Sequence, residues 1–213
     1  MSTYKHIIFD LDNTLYPKEI GLFKYVDERI NRYLMEFMGF PPDEIAAIRR
    51  NYINNYGTTL RGLIIHHNVD ADHYLKFVHD IPISIHIKKD PRLKRLLKNI
   101  NANRVIFTNG SENYARKVLK ALGVEEFFSR IFDIEFCGYK PKPYRDSYEK
   151  VLRALDVDGS QCIMVDDIEE NLIAAKEFGI LTILVGDGNS HSADFSLKNL
   201  YEIEPILNEI LIK

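Results

Sequence analysis

Short apolar runs that stop at a polar residue, each leading into an amphipathic helix, constrain this chain more than anything else in it. Ile7-Ile8-Phe9 ends at Asp10, Arg104-Val105-Ile106-Phe107 at Thr108-Asn109, and Cys162-Ile163-Met164-Val165 at Asp166-Asp167. A fourth run spans residues 181 to 185. Runs this short and this apolar read as strands buried on both faces. Alternating with helices, they predict an α/β fold with a doubly wound, mostly parallel sheet. In such sheets ligands gather beyond the carboxyl ends of the strands.

The helices between these runs follow from period and punctuation. Pro91 opens one that carries Leu93, Leu96 and Leu97. Ser111 caps the next, whose stripe is Tyr114, Val118, Leu119 and Leu122, and Gly123 stops it. Residues 131 to 136 form a short segment before Gly138-Tyr139-Lys140-Pro141, and Tyr148, Val151, Leu152 and Leu155 mark another helix. Leu172, Ile173, Ala175 and Phe178 mark a further one closed by Gly179, and a last helix begins near Leu200.

Residues 17–86 break the alternation. Apolar positions from Ile20 to Phe37 recur at helical spacing until Gly39 and Pro41-Pro42. Three further helical groups follow: Ile45 to Ile53, Leu60 to Ile64, and Tyr74 to Val78. No convincing strand separates them. The expected organisation is a core made of residues 1–16 and 87–213, with a helical cap at 17–86.

Composition narrows the partners. A net charge of −3 gives no electrostatic case for nucleic acid or an anionic membrane. No apolar run is long enough to span a bilayer, and the chain enters its first strand too soon for a signal peptide. Cys137 and Cys162 lack metal or disulfide spacing, which suits a reducing cytoplasm. The expected protein is cytoplasmic, a monomer or small homo-oligomer.

Asp10 and Asp12 lie just past a buried strand, and a period of two points both carboxylates the same way. Two such charges a few ångströms apart repel by about 4 kcal/mol at an effective dielectric of 20. A divalent cation, a lysine, or both must compensate. Asn13, which tolerates positive φ, follows in the motif Asp10-Leu11-Asp12-Asn13-Thr14-Leu15-Tyr16-Pro17. With Thr108-Asn109, Lys140-Pro141 and Asp166-Asp167, it resembles the four motifs of the haloacid dehalogenase (HAD) superfamily, most of whose members are phosphatases.

That resemblance implies a HAD-like Rossmannoid core and a phosphohydrolase working through an aspartyl-phosphate. Asp10 is then the nucleophile, and Asp12 the acid that protonates the leaving oxygen and later activates water. Mg²⁺ would lie between Asp10, the backbone carbonyl of Asp12, and Asp167, with Asp166 as a water-mediated or outer partner. Thr108 and Asn109 would hold phosphoryl oxygens. Lys140, the lysine that precedes proline in the family pattern, would neutralise charge, leaving Lys142 in Lys140-Pro141-Lys142-Pro143 as a rim charge. Asn171 is read as an anchor of the Asp166-Asp167 loop.

The stretch Tyr56-Gly57-Thr58-Thr59-Leu60-Arg61-Gly62-Leu63 resembles the pyrimidine 5′-nucleotidase branch. The implied substrate is a pyrimidine nucleoside 5′-monophosphate, a small-molecule phosphomonoester. Tyr56 either borders the base or packs inside the cap, and Arg61 either reaches the substrate or pairs with an acid. The segment between Phe132 and Lys140 is shorter than in the fungal members of that branch.

Other readings use the same residues differently. A sugar phosphate or another small organic phosphate would need only a different cap. Dehalogenase chemistry would leave Asp12 and the Asp166-Asp167 pair idle. A non-catalytic binding module would be expected to lack an essential group, and none is missing. His66 and His67 point to different helix faces and have no third ligand, so they are read as cap-packing or surface residues.

Overall fold

The computed structural model describes residues 4–187 and 192–211. A single sheet of six parallel strands runs in the order β3-β2-β1-β4-β5-β6. The strands are β1 (His6–Phe9), β2 (Asn103–Phe107), β3 (Arg130–Phe132), β4 (Cys162–Asp166), β5 (Leu181–Val185) and β6 (Phe195–Leu197). β1 is central, pairing with β2 on one side and β4 on the other, so the strand order reverses beside it. A crevice at such a switch point is where an open sheet binds its ligand. The doubly wound parallel sheet is therefore as the alternation predicts. β6 is an addition, because a three-residue strand carries too little periodicity to be read.

The two sheet faces bury different side chains. Ile7 and Phe9 pack with α6 (Pro91–Asn99), α7 (Glu112–Leu122) and α10 (Ile203–Leu211). Ile8, Val105, Phe107 and Met164 pack on the other face, against α8 (Arg145–Leu155) and α9 (Glu169–Lys176). The helix ends follow the sequence: Ser111 accepts from the Tyr114 N–H, and Gly123 adopts φ +75° at the stop.

Between β1 and β2 come α1 (Leu22–Glu36), α2 (Ile45–Tyr56), α3 (Thr59–His67), α4 (Ala71–Val78) and the short α5 (Ile83–His86). α1 to α4 surround their own cluster of Tyr33, Leu34, Ile45, Tyr52, Leu60, Leu63, Tyr74 and Val78. Ile134, from the segment after β3, is buried in that cluster too. Leu22 and Val26 at the start of α1, with Ile83 and Ile87, pack into the sheet's core instead. No helix among the described residues is long and apolar enough to cross a membrane.

Candidate active site

Register brings the first two acids together. Phe9 pairs with Val165, so the next residues, Asp10 and Asp166, leave adjacent strands side by side. Both continue the face that carries Ile8 and Met164, the face covered by α8. The chain enters α8 from the loop holding Lys142, whose side chain comes in from that side. Its ammonium donates to Asp10 Oδ1 at 2.8 Å and to Asp166 Oδ2 at 2.7 Å. Its side chain is 1% exposed, that of Asp166 0% and that of Asp10 11%, so three charges are buried together.

This corrects the expectation for Lys140. Lys140 is a half-exposed residue paired with Asp146 on the first turn of α8. Lys142 is the lysine at the carboxylates. Both precede a proline, so the local motif alone does not distinguish them. Asn109 settles the position of Lys142: its Oδ1 accepts from the Lys142 N–H at 2.8 Å, and its Nδ2 donates to the Lys142 carbonyl at 3.1 Å. Both ends of the Asn109 amide thereby bond to the Lys142 backbone.

Thr108 is buried at the end of β2, where its Oγ1 accepts from the Gly110 N–H at 3.0 Å. Among the described residues its hydroxyl donates no hydrogen bond. The turn is held from below by Asp133, a buried carboxylate that accepts from the N–H groups of Glu112 and Phe136, each at 2.8 Å. Asp133 was legible only as part of a short segment; nothing in its neighbourhood marked it as a helix cap.

Asp166 is saturated. It accepts from Lys142, from the Ile168 N–H at 2.9 Å and from both approaches of Asn171 Nδ2. Asn171 is thus an anchor of this loop. Asp167 is less enclosed, and Asn13, at φ +61°, hydrogen-bonds to it. One carboxylate oxygen each from Asp10, Asp166 and Asp167 lies within 4.8 Å of the others. Burial, then the Asp166 charge, pushes the Asp167 carboxyl up to about 6. Burial likewise raises Asp10, with Asp166 and Asp167 adding to it and Lys142 pulling against it. For Lys142, burial opposes the charge, but the two carboxylates outweigh it and hold the ammonium above the ordinary lysine value. Three acids against one lysine leave negative charge uncompensated at one point. An all-oxygen donor set with excess negative charge fits a hard divalent cation such as Mg²⁺.

The Asp12 carboxylate lies outside this cluster. It turns away toward two phenols. Tyr114 donates to its Oδ1 at 2.7 Å, and Tyr16 donates to the same oxygen. A metal role for Asp12 therefore rests on its backbone carbonyl. Burial raises the Asp12 carboxyl, with the two tyrosine hydrogen bonds and Lys142 opposing. Thr14 donates to Asp10 Oδ2 at 3.0 Å, so Asp10 is also oriented from both sides. Tyr16 was legible as part of the opening motif and Tyr114 as a stripe residue, and neither position says where a phenol tip ends.

The cap residues are engaged with protein. The Tyr56 hydroxyl lies 2.7 Å from His66 Nε2, within the α2–α3 pair, and Tyr52 is similarly bonded to His67 at 2.8 Å. Arg61 donates to the Tyr139 carbonyl at 3.0 Å and lies 5.0 Å from the Tyr144 ring centroid. Arg61 thus joins the helical block to the loop that carries Lys142. A cleft of about 950 Å³ opens elsewhere, between α4 and α7, with His79, Ser111, Tyr114 and Asp133 in its wall.

Known proteins resemble this chain in sequence and in fold. Phosphate metabolism protein 8 of Saccharomyces cerevisiae is 27% identical over 195 residues, 83% of this chain and 60% of its own length. A phosphoglycolate phosphatase of Neisseria gonorrhoeae is 32% identical over 121 residues, 54% of this chain and 49% of its own. This chain therefore spans about half to three-fifths of those two relatives. The crystal structure of a HAD phosphatase from Thermococcus onnurineus superposes with a TM-score of 0.65 at 20% identity, covering 97% of this chain and 99% of that one, a likeness of fold. A family model described as haloacid dehalogenase-like hydrolase matches residues 4–179. With the motif residues of that family converging at the carboxyl ends of β1, β2 and β4, the chain belongs to the haloacid dehalogenase-like hydrolases.

Proposed function

We propose that this chain is a Mg²⁺-dependent phosphomonoesterase in which Asp10 is phosphorylated and water then cleaves the aspartyl-phosphate. The observation that carries this reading is the buried Asp10–Lys142–Asp166 array with Asp167 beside it. Asp10 is aimed by Thr14 and Lys142, so its attack on phosphorus costs little reorientation. As the Asp10 oxygen bonds to phosphorus, the ester oxygen leaves and takes a proton from Asp12. Asp12, now ionised, accepts a proton from the water that cleaves the acyl phosphate and restores Asp10. Lys142 balances Asp10 and the incoming phosphoryl charge, and the Thr108 hydroxyl donates to a phosphoryl oxygen. Asp10, Asp167 and the Asp12 carbonyl would hold Mg²⁺, which would supply further positive charge to the phosphoryl group. Asp166 keeps Lys142 in place.

In this reading, residues 17–86 form the cap that decides which phosphate esters enter. The substrate we propose is a pyrimidine nucleoside 5′-monophosphate, on the strength of the Tyr56 to Leu63 and Asp10 to Pro17 stretches. A second reading, a smaller organic or sugar phosphate, is favoured by the engagement of Tyr56 and Arg61 with protein groups. The names of similar proteins, which include phosphoglycolate phosphatase and glyceraldehyde 3-phosphate phosphatase, also favour it. Phosphate release with Mg²⁺ from UMP, CMP, dUMP, AMP, GMP, phosphoglycolate and several sugar phosphates separates them. Preference for UMP and CMP supports the first, and comparable turnover of purine and pyrimidine nucleotides removes it.

A further inference from the structure

The Asp12 side chain is held by neutral donors from two separate elements. Tyr16 reaches it from the turn after β1, and Tyr114 from the first turn of α7, both on Oδ1. No hydrogen bond to Oδ2 is made among the described residues, so that oxygen is the one presented for proton transfer. Tyr114 is itself wedged. The imidazole of His79, at the end of α4, lies flat on its ring with centroids 4.4 Å apart and planes 13° apart. His79 Nδ1 shares a 3.0 Å hydrogen bond with Ser111, the cap of α7. His79 is therefore the point where the cap touches the group that orients Asp12.

We propose that Tyr114 is a positioning residue for Asp12 and that His79 seats it, so that closure of the cap aligns the proton donor. The inference rests on Asp12 protonating the leaving oxygen, as proposed above. A phenol that merely needed a buried partner would give the same contact but no selectivity among leaving groups.

The test compares kcat/KM for an alkyl phosphate, whose alkoxide needs a proton to depart, with p-nitrophenyl phosphate, whose phenolate does not. D12N serves as the reference and should lose far more on the alkyl ester. Tyr114→Phe, which keeps the ring and removes the hydroxyl, should lower kcat/KM for the alkyl ester about tenfold or more while changing p-nitrophenyl phosphate by less than about threefold. His79→Ala should show the same bias, and His79→Phe, which keeps a ring against Tyr114, should recover part of the lost alkyl-ester activity. Equal losses on both esters in Tyr114→Phe, or none, would overturn the proposal. Should Tyr114→Phe fail to fold, His79→Ala decides by the same ratio. If D12N itself shows no bias, the role given to Asp12 is wrong and the proposal falls with it. If D12N shows the bias and Tyr114→Phe does not, only the positioning role is lost.

Discussion

Lys142 compensates two buried carboxylates at once, and removing it leaves both without a partner. Breaking a buried pair in this way costs about 3–5 kcal/mol. Lys142→Met should therefore abolish turnover and lower the denaturation midpoint sharply. Lys140→Met removes only an exposed ion pair, worth about 1 kcal/mol or less, and should leave both nearly unchanged. Urea titration and a turnover assay on the two variants check this directly. His79 gives a second prediction at this scale. Burial, with the Lys117 charge adding to it and the Leu75 backbone contact opposing, lowers its pKa to about 3. The unfolded chain binds its proton near pH 6.5 and the folded one does not. The contribution is complete above about pH 6.5 and falls by about 1.4 kcal/mol per unit as pH drops toward 3. Urea midpoints against pH for wild type and His79→Gln should diverge in slope over that window. At the residue scale the acids were legible because charge beside a buried strand needs a reason. The choice between two adjacent lysines was not, because it depends on a clamp from Asn109, 33 positions upstream of Lys142.

The stretch from Tyr56 to Leu63 acts first as a folding device. Gly57 ends α2 at φ +78°, Thr58 caps α3 by accepting from the Arg61 N–H, and Gly62 lets α3 lie against Tyr52. A Cβ at Gly62 would meet Tyr52 Cγ at 2.3 Å, inside the cap's own cluster. Gly62→Ala should cost about 1–3 kcal/mol through overpacking, read as lost hydrogen-exchange protection across α2 and α3. Gly57→Ala acts across the boundary instead, because its Cβ would press on Pro141 at 2.8 Å, in the loop that carries Lys142. It should impair turnover more than it impairs α1 or α4. Strands and helices were legible wherever period and punctuation agreed, as at Ser111 and Gly123. β6 and α5 were not, since three or four residues are too few to establish a period.

Across the whole molecule, the sheet order places β1 between β2 and β4, and one chain reversal assembles groups from residues 10 to 167 at a single crevice. Among the described residues, the helical block meets the surroundings of that crevice on more than one side. His79 meets the Asp12 side, and Asn55, Gly57 and Arg61 meet the loop of Lys142. The order of motifs along the sequence was enough to place the chemistry at the strand ends. What the cap residues contact depends on how two helical layers meet, which no local pattern records. The central claim is that Asp10 receives the phosphoryl group with a cation bound beside it. Acid quench of a single turnover of ³²P-labelled substrate, followed by peptide mapping, tests it most directly. Transient label is expected on the Asp10 peptide, absent in D10N and absent in EDTA. Turnover in which that peptide never carries label, or labelling that survives either change, would contradict it.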